Sequence, residues 1–339
     1  MSSVEQINSA AKQITLGISI ICIIFGTIGL LLNLIIFTRR SFQANSCCIY
    51  FLAATCINLF VVFIIVPFRI LVGVFNIDPT SNNEPLCKIQ IYLFSVTRAL
   101  AIWFIALACM DRYFCSSSNI KLRTLNSVKF ARRIICTCTA LLIIVYIHNL
   151  IYFKIGLVSD QLGHLVPSCI PTRGIYAIFT PFWNLVWYAL LPSFLMFIFG
   201  ILTINNIRRS HHRVISQNQL SQNRINNQLL KMLLIQVITI LLTIIPFIAC
   251  RLQLSLTLNN IKSQYEIARD NLFLQTATVI SLISHSISFY LFTLTGPIFR
   301  QELIRIIAIW LPLLIPKNKG QHHACMITNV QNRRIHPIQ

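Results

Sequence analysis

Charge is scarce in this sequence, and negative charge most of all. Only 11% of the 339 residues are charged, and Asp and Glu together number 8. Soluble domains carry roughly 25% charged residues because their surfaces face water. A chain this poor in charge needs lipid as the solvent for much of its surface. With so few acids and no evident nucleophile–base pair, nothing supports an enzyme, and no catalytic residue or cofactor is assigned. No set of His, Cys and acidic residues has the spacing of a zinc site, so no metal is expected. The chain also lacks the internal repeats or inverted halves of many secondary transporters.

Long apolar runs are what the sequence has in abundance, with 56% of its residues hydrophobic. Seven runs cover 14–38, 47–75, 86–115, 131–153, 175–206, 229–256 and 271–295. Each matches the ~20 residues that cross a hydrocarbon core of ~30 Å. An eighth stretch, 302–315, follows Gly296-Pro297 and is too short to span. Its Phe299, Leu303 and Ile306 share one face, and Arg300 and Arg305 are placed to reach lipid phosphates, as in an interfacial helix. The expected architecture is all-α: a seven-transmembrane helix bundle with a short amphipathic eighth helix. Its parts are an N-terminal segment 1–13, a bundle 14–295, helix eight 296–316 and a tail 317–339. The opening MSSVEQINSAAKQ has neither the basic region nor the cleavage site of a signal peptide, so the first run reads as an uncleaved anchor.

The net charge of +20 would suit a nucleic-acid partner, but its distribution does not. Of the 28 basic residues, all but Arg69, Arg98 and Arg251 lie outside the apolar cores or at their ends. They concentrate in segments 39–46, 112–133, 207–231 and beyond 299, while six of the acids (Glu5, Asp78, Glu84, Asp160, Glu266, Asp270) fall in the alternate segments. By the positive-inside rule the N-terminus is expected outside and the C-terminus in the cytosol of a multi-pass protein. No outer segment carries an Asn-x-Ser/Thr sequon. The inner stretch SQNQLSQNRINNQ reads as a short mobile connection with helical ends.

At the inner end of the third run stands Asp111-Arg112-Tyr113. An arginine there needs a partner or water, and Asp111 can supply the partner. Cys87 lies about 37 Å up the same helix, at its outer mouth. Cys169 lies in the outer loop between runs four and five, and no other cysteine falls in an outer segment. A disulfide between them would pin that loop over the bundle in an oxidising compartment.

These features together resemble the rhodopsin-like (class A) G-protein-coupled receptors. The resemblance rests on Asp111-Arg112-Tyr113, the Cys87/Cys169 pair, Pro67, Pro192 and Pro246 in helices two, five and six, and Phe299-Arg300 opening helix eight. It is similar in flavour to invertebrate peptide receptors such as the FMRFamide-receptor group. The resemblance implies a location in the plasma membrane, with the N-terminus extracellular and the C-terminus cytoplasmic. It also implies a two-state switch in which Arg112, held by Asp111, meets a heterotrimeric G protein when agonist shifts the population. Several family marks are replaced: Asn58 stands for an acid in helix two, Ile244 for a tryptophan before Pro246, and Ser288-Phe289-Tyr290-Leu291-Phe292 for Asn-Pro-x-x-Tyr. No acid near Asn226 is available to brace Arg112.

The three remaining arginines, Arg69, Arg98 and Arg251, sit in the outer halves of helices two, three and six. Charge in a membrane should face the bundle interior. With Phe94, one turn outward from Arg98 where amine receptors carry Asp, they form the candidate ligand site; the alternative is that each arginine pairs with backbone carbonyls or snorkels outward. Helix seven has no Lys for retinal. Arginine binds carboxylates and phosphates in bidentate fashion, so the expected ligand is a peptide with an anionic group. A chemosensory receptor for small molecules is the alternative, and a transporter or channel a more distant one. His148 and His285 read as polar residues each facing a neighbour, and Trp183, Trp187 and Tyr188 as an aromatic belt at the membrane interface, with contact to the ligand as the alternative.

Overall fold

The computed structural model describes residues 3–159, 165–172, 174–211, 217–257 and 262–314. Its main helices are α1 (Ser3–Phe37), α2 (Ser46–Gly73), α3 (Glu84–Ser116), α4 (Val128–Tyr152), α5 (Ile175–Arg209) and α6 (Gln217–Leu256). They are followed by α7 (Gln264–Ser286, continued by Ser288–Thr295) and α8 (Pro297–Leu314). Contacts divide the described residues into one unit ending at Arg300, which holds α1 to α7, and a second beginning at Gln301. In the second unit α8 continues with Arg305 donating to Glu302 at 2.6 Å.

Six helices are long and apolar enough to cross a membrane, and the two segments of α7 make a seventh span. The apolar window of α3 is 72% buried, against 22% for those of α4 and α5. Helix α3 is therefore the inner post. Elsewhere large apolar side chains point outward, including Ile24, Phe25 and Ile28 on α1 and Phe194 and Phe197 on α5. In water each would cost ~25 cal/mol per Å² of exposed apolar area. In hydrocarbon they cost nothing, and backbone groups closed within helices meet the other demand of that solvent. The chain is a multi-pass membrane protein.

Two ends differ from the sequence expectation. Helix α1 starts at Ser3 rather than near residue 14, because the polar opening contains good helix formers and Glu5 lies in the first turn, where the helix dipole favours an anion. The Gln/Asn-rich stretch is already helical from Gln217, as the first turns of α6.

Proline shapes the helices in two ways. It lacks an N–H, and its ring crowds the carbonyl four residues back. Pro67 and Pro192 are each preceded by a widened π-turn, Val61–Ile65 and Leu185–Leu190, which lets that carbonyl swing aside. Pro246 is accommodated within the continuous α6. Helix α7 bends by 49° at Ile287 with no proline there. Serines replace it. Ser284 donates back to the Ser281 carbonyl at 2.9 Å, and Asn33 reaches across from α1 to Ser288 at 3.1 Å. Hydroxyls bonded to their own helix are a recognised source of bending.

Helix α1 lies against this bend because it has no side chains in the way. A Cβ on Gly26 would sit 2.9 Å from Ser286 Oγ, and one on Gly29 would sit 2.9 Å from Phe289 Cβ. Below the bend, Phe37, Phe51, Phe292 and Phe299 form a ring cluster, with Phe51 and Phe292 at 4.9 Å and Phe37 and Phe299 at 5.7 Å. At the opposite end a hairpin crosses the bundle mouth: β1 (Phe153–Ser159) pairs antiparallel with β2 (Leu165–Pro171), Ile155 opposite Cys169. The Cys87–Cys169 disulfide fastens β2 to the first turn of α3.

Candidate functional site

A cavity of about 320 Å³ lies beneath the hairpin. Arg69 of α2, Phe94 and Arg98 of α3, Cys169 of β2 and Arg251 of α6 all line it, so the structure brings the sequence-selected residues to one place. Phe94 packs edge-on against Phe68 at 5.4 Å and forms an apolar wall. Arg98 is the most deeply set, at 9% exposure. Its Nη2 donates to Tyr188 Oη at 3.1 Å and to Ser281 Oγ at 2.9 Å. Its guanidinium also lies over two rings, Phe247 at 4.6 Å and Tyr188 at 5.0 Å, and Arg251 lies 5.7 Å from Phe247.

The charge balance of this cavity is one-sided. Arg98 repels Arg69 and Arg251, and Arg251 repels Arg69. Among the described residues, no ion pair includes any of the three. Neither Asp270 nor Asp78 lines the cavity: Asp270 holds Lys262 and Arg269, and Asp78 bonds Thr80. Neutral acceptors and ring faces stabilise Arg98 where it is, but leave the excess positive charge in place. The Nε atoms of Arg69 and Arg98 are buried without a hydrogen-bond partner.

Sequence reasoning missed Phe247 and Ser281, and placed Tyr188 first in the aromatic belt with ligand contact as the alternative. Tyr188 is 3% exposed and faces the cavity rather than the lipid belt. The π-turn of α5 explains the difference, because it rotates the helix by an extra residue just there. Trp187 stacks on Trp103 at 6.1 Å, and its carbonyl accepts from Trp103 Nε1 at 2.9 Å. A second proline in α5, Pro181, also lines the cavity.

At the far end of α3, Asp111 and Arg112 are each 2% exposed and pair at 2.6 Å. Arg112 Nη2 also donates to Asn45 Oδ1 at 3.1 Å. The same Asn45 oxygen caps α2 by accepting from the Cys47 amide at 3.0 Å. The brace that α6 cannot supply as an acid thus has a counterpart in the loop before α2. Its only sequence signal is Asn immediately before Ser46, a common N-cap residue. Tyr113 turns to α5, 5.6 Å from Phe199.

An arginine–acid pair at one end of a central helix, a disulfide at its other end and seven spans make the comparison with known families decisive. Residues 28–288 match the 7 transmembrane receptor (rhodopsin family). The chain belongs to this family. A search of the curated proteins gives no match. As a rhodopsin-family member the receptor is a signalling protein, and its departures from the family pattern can be placed. Asn58, where the resemblance led us to expect an acid, bonds His285 Nδ1 at 2.8 Å in the core. His148 Nδ1 meets Tyr176 Oη at 2.7 Å. Each histidine faces a neighbouring helix.

Proposed function

We propose that this receptor responds to an extracellular ligand with an anionic group, first of all a peptide, and passes the signal to a heterotrimeric G protein. One observation carries the ligand class: three guanidiniums share a cavity without a described carboxylate partner. Positive charge confined in low dielectric favours an anion strongly, and guanidinium forks select carboxylate or phosphate geometry. Arg98 takes the anion at the floor, Arg69 and Arg251 steer it from the sides, and Phe94 packs its apolar part.

On this reading the Cys87 end faces the outside of the plasma membrane and the basic Arg112 end meets the G protein. Residues 1–13 lie outside, 14–295 form the receptor domain, 296–316 rest on lipid and 317–339 are the cytoplasmic tail. Agonist shifts a two-state equilibrium in which the Asp111–Arg112–Asn45 set holds the resting arrangement. The cavity's size favours a second reading, a chemosensory receptor for a small organic anion. A volume of about 320 Å³ is at the low end for small-molecule pockets and would admit only the end of a peptide.

The test is a calcium and cAMP response assay in cells with confirmed surface expression, against matched free-acid and amidated peptides and a panel of organic acids. A response to free-acid or acidic peptides supports the first reading, and one to small acids the second. Activation by cationic or neutral ligands alone, unchanged by Arg98→Ala and Arg251→Ala, overturns both.

A further inference from the structure

Arg98 is already engaged in a way that limits what can bind it. A guanidinium grips a carboxylate with paired N–H bonds on either of two faces, Nε with Nη2 or Nη1 with Nη2. Both faces include Nη2. In Arg98 that nitrogen donates its two hydrogens to neutral hydroxyls, Tyr188 Oη at 3.1 Å and Ser281 Oγ at 2.9 Å. While both hydroxyls stay, neither face is open to a carboxylate. The Nε of the same side chain is buried without a hydrogen-bond partner, so one face is half taken and half unsatisfied.

An unsatisfied N–H away from water is costly, and the acceptor that Nε lacks belongs on the Nε–Nη2 face. An anion seated there must displace one of the two hydroxyls. Ser281 is the harder one to move. It is 0% exposed, does not line the cavity, and donates its own proton to the Thr278 carbonyl at 2.6 Å. Tyr188 does line the cavity, so it is the hydroxyl an entering ligand meets. It also sits on the π-turn Leu185–Leu190, whose extra residue gives α5 a second way to bond locally.

We propose that Tyr188 is an internal occupant of the anion seat: its hydroxyl caps Arg98 in the empty receptor, and the anionic group of the ligand takes its place. The inference rests on the anionic-ligand reading above and adds the residue that sets its selectivity. A carboxylate meets the guanidinium with an opposite charge in low dielectric, an attraction that a phenol lacks. It therefore wins the exchange, whereas a neutral amide trades one neutral acceptor for another and does not.

The experiment titrates the full-length receptor in lipid nanodiscs with para-fluorobenzoate, and with para-fluorobenzamide as its neutral counterpart, followed by fluorine NMR. Tyr188→Phe keeps the ring contacts with Arg98 at 5.0 Å and Phe247 at 6.4 Å and removes only the hydroxyl. It should bind the benzoate about tenfold more tightly than wild type, because one hydrogen bond to a charged group no longer has to be broken, and leave the amide unchanged. Arg98→Gln should lose the benzoate. In the wild-type receptor the benzoate should speed amide hydrogen exchange at 185–190, where a ligand that merely packs on Tyr188 would slow it. This arm does not depend on a variant folding. If Arg98→Gln binds the benzoate as wild type does, the anionic-ligand reading falls and the inference with it. If Arg98→Gln loses it but Tyr188→Phe gains nothing, the anion seat stands and the role of Tyr188 is overturned. Slower exchange at 185–190, or a gain in Ser281→Ala in place of Tyr188→Phe, overturns it as well.

Discussion

Replacing Arg98 with glutamine separates a ligand-binding arginine from one that merely supports the helices. Arg98 makes two hydrogen bonds to neutral hydroxyls and two ring contacts, while adding a third like charge to one cavity. For the unliganded receptor these contributions oppose each other. The lost bonds and cation–π contacts destabilise, and relief of repulsion among unpaired cations stabilises. Melting of purified Arg98→Gln receptor should therefore shift by only a few degrees. With an anionic agonist bound there is no such cancellation. A hydrogen bond to a charged group is worth about 1.5–3 kcal/mol, so EC50 should rise about 10- to 150-fold at unchanged surface expression. Arg98→Lys, which keeps the charge and loses the fork, should fall between. The assay is a concentration–response series with the agonist recovered by the screen, run beside thermal melts. A large loss of stability with EC50 within about twofold, repeated for Arg251→Gln, would refute the argument and leave the arginines as struts.

Three further outcomes follow from the packing. Gly26→Val places atoms where Ser286 Oγ already sits 2.9 Å from a Cβ, so surface expression should collapse; Gly17→Val, with nothing within 4 Å, should be silent. Asn45→Ala removes both the α2 cap and an acceptor of Arg112; the cap alone is worth about 1 kcal/mol, and basal signalling measured without ligand should rise. Cys87→Ser opens a link spanning 82 residues, worth about 4 kcal/mol in the chain-entropy estimate, and should reduce cell-surface receptor severalfold by flow cytometry.

The spans, the disulfide and the arginine–acid pair were legible in the linear chain because each follows from a local rule. About 20 apolar residues must be a helix in lipid, and cysteines outside the runs stand apart from those within them. The grouping of Arg69, Arg98 and Arg251 was legible for the same reason, since charge cannot face hydrocarbon. What surrounds them was not. Tyr188 reads as a belt residue until the π-turn before Pro192 rotates it inward, and Ser281 becomes a partner of Arg98 only across the bundle. The bend of α7 without proline depends on Ser284, and on Asn33 arriving from α1 past Gly26 and Gly29. Asn45 meets Arg112 only because the turn before α2 lies against the far end of α3. Burial and periodicity are set by the solvent each residue must meet, and so they are written along the chain. Partnerships between helices depend on rotation and close approach, which only the packed bundle decides.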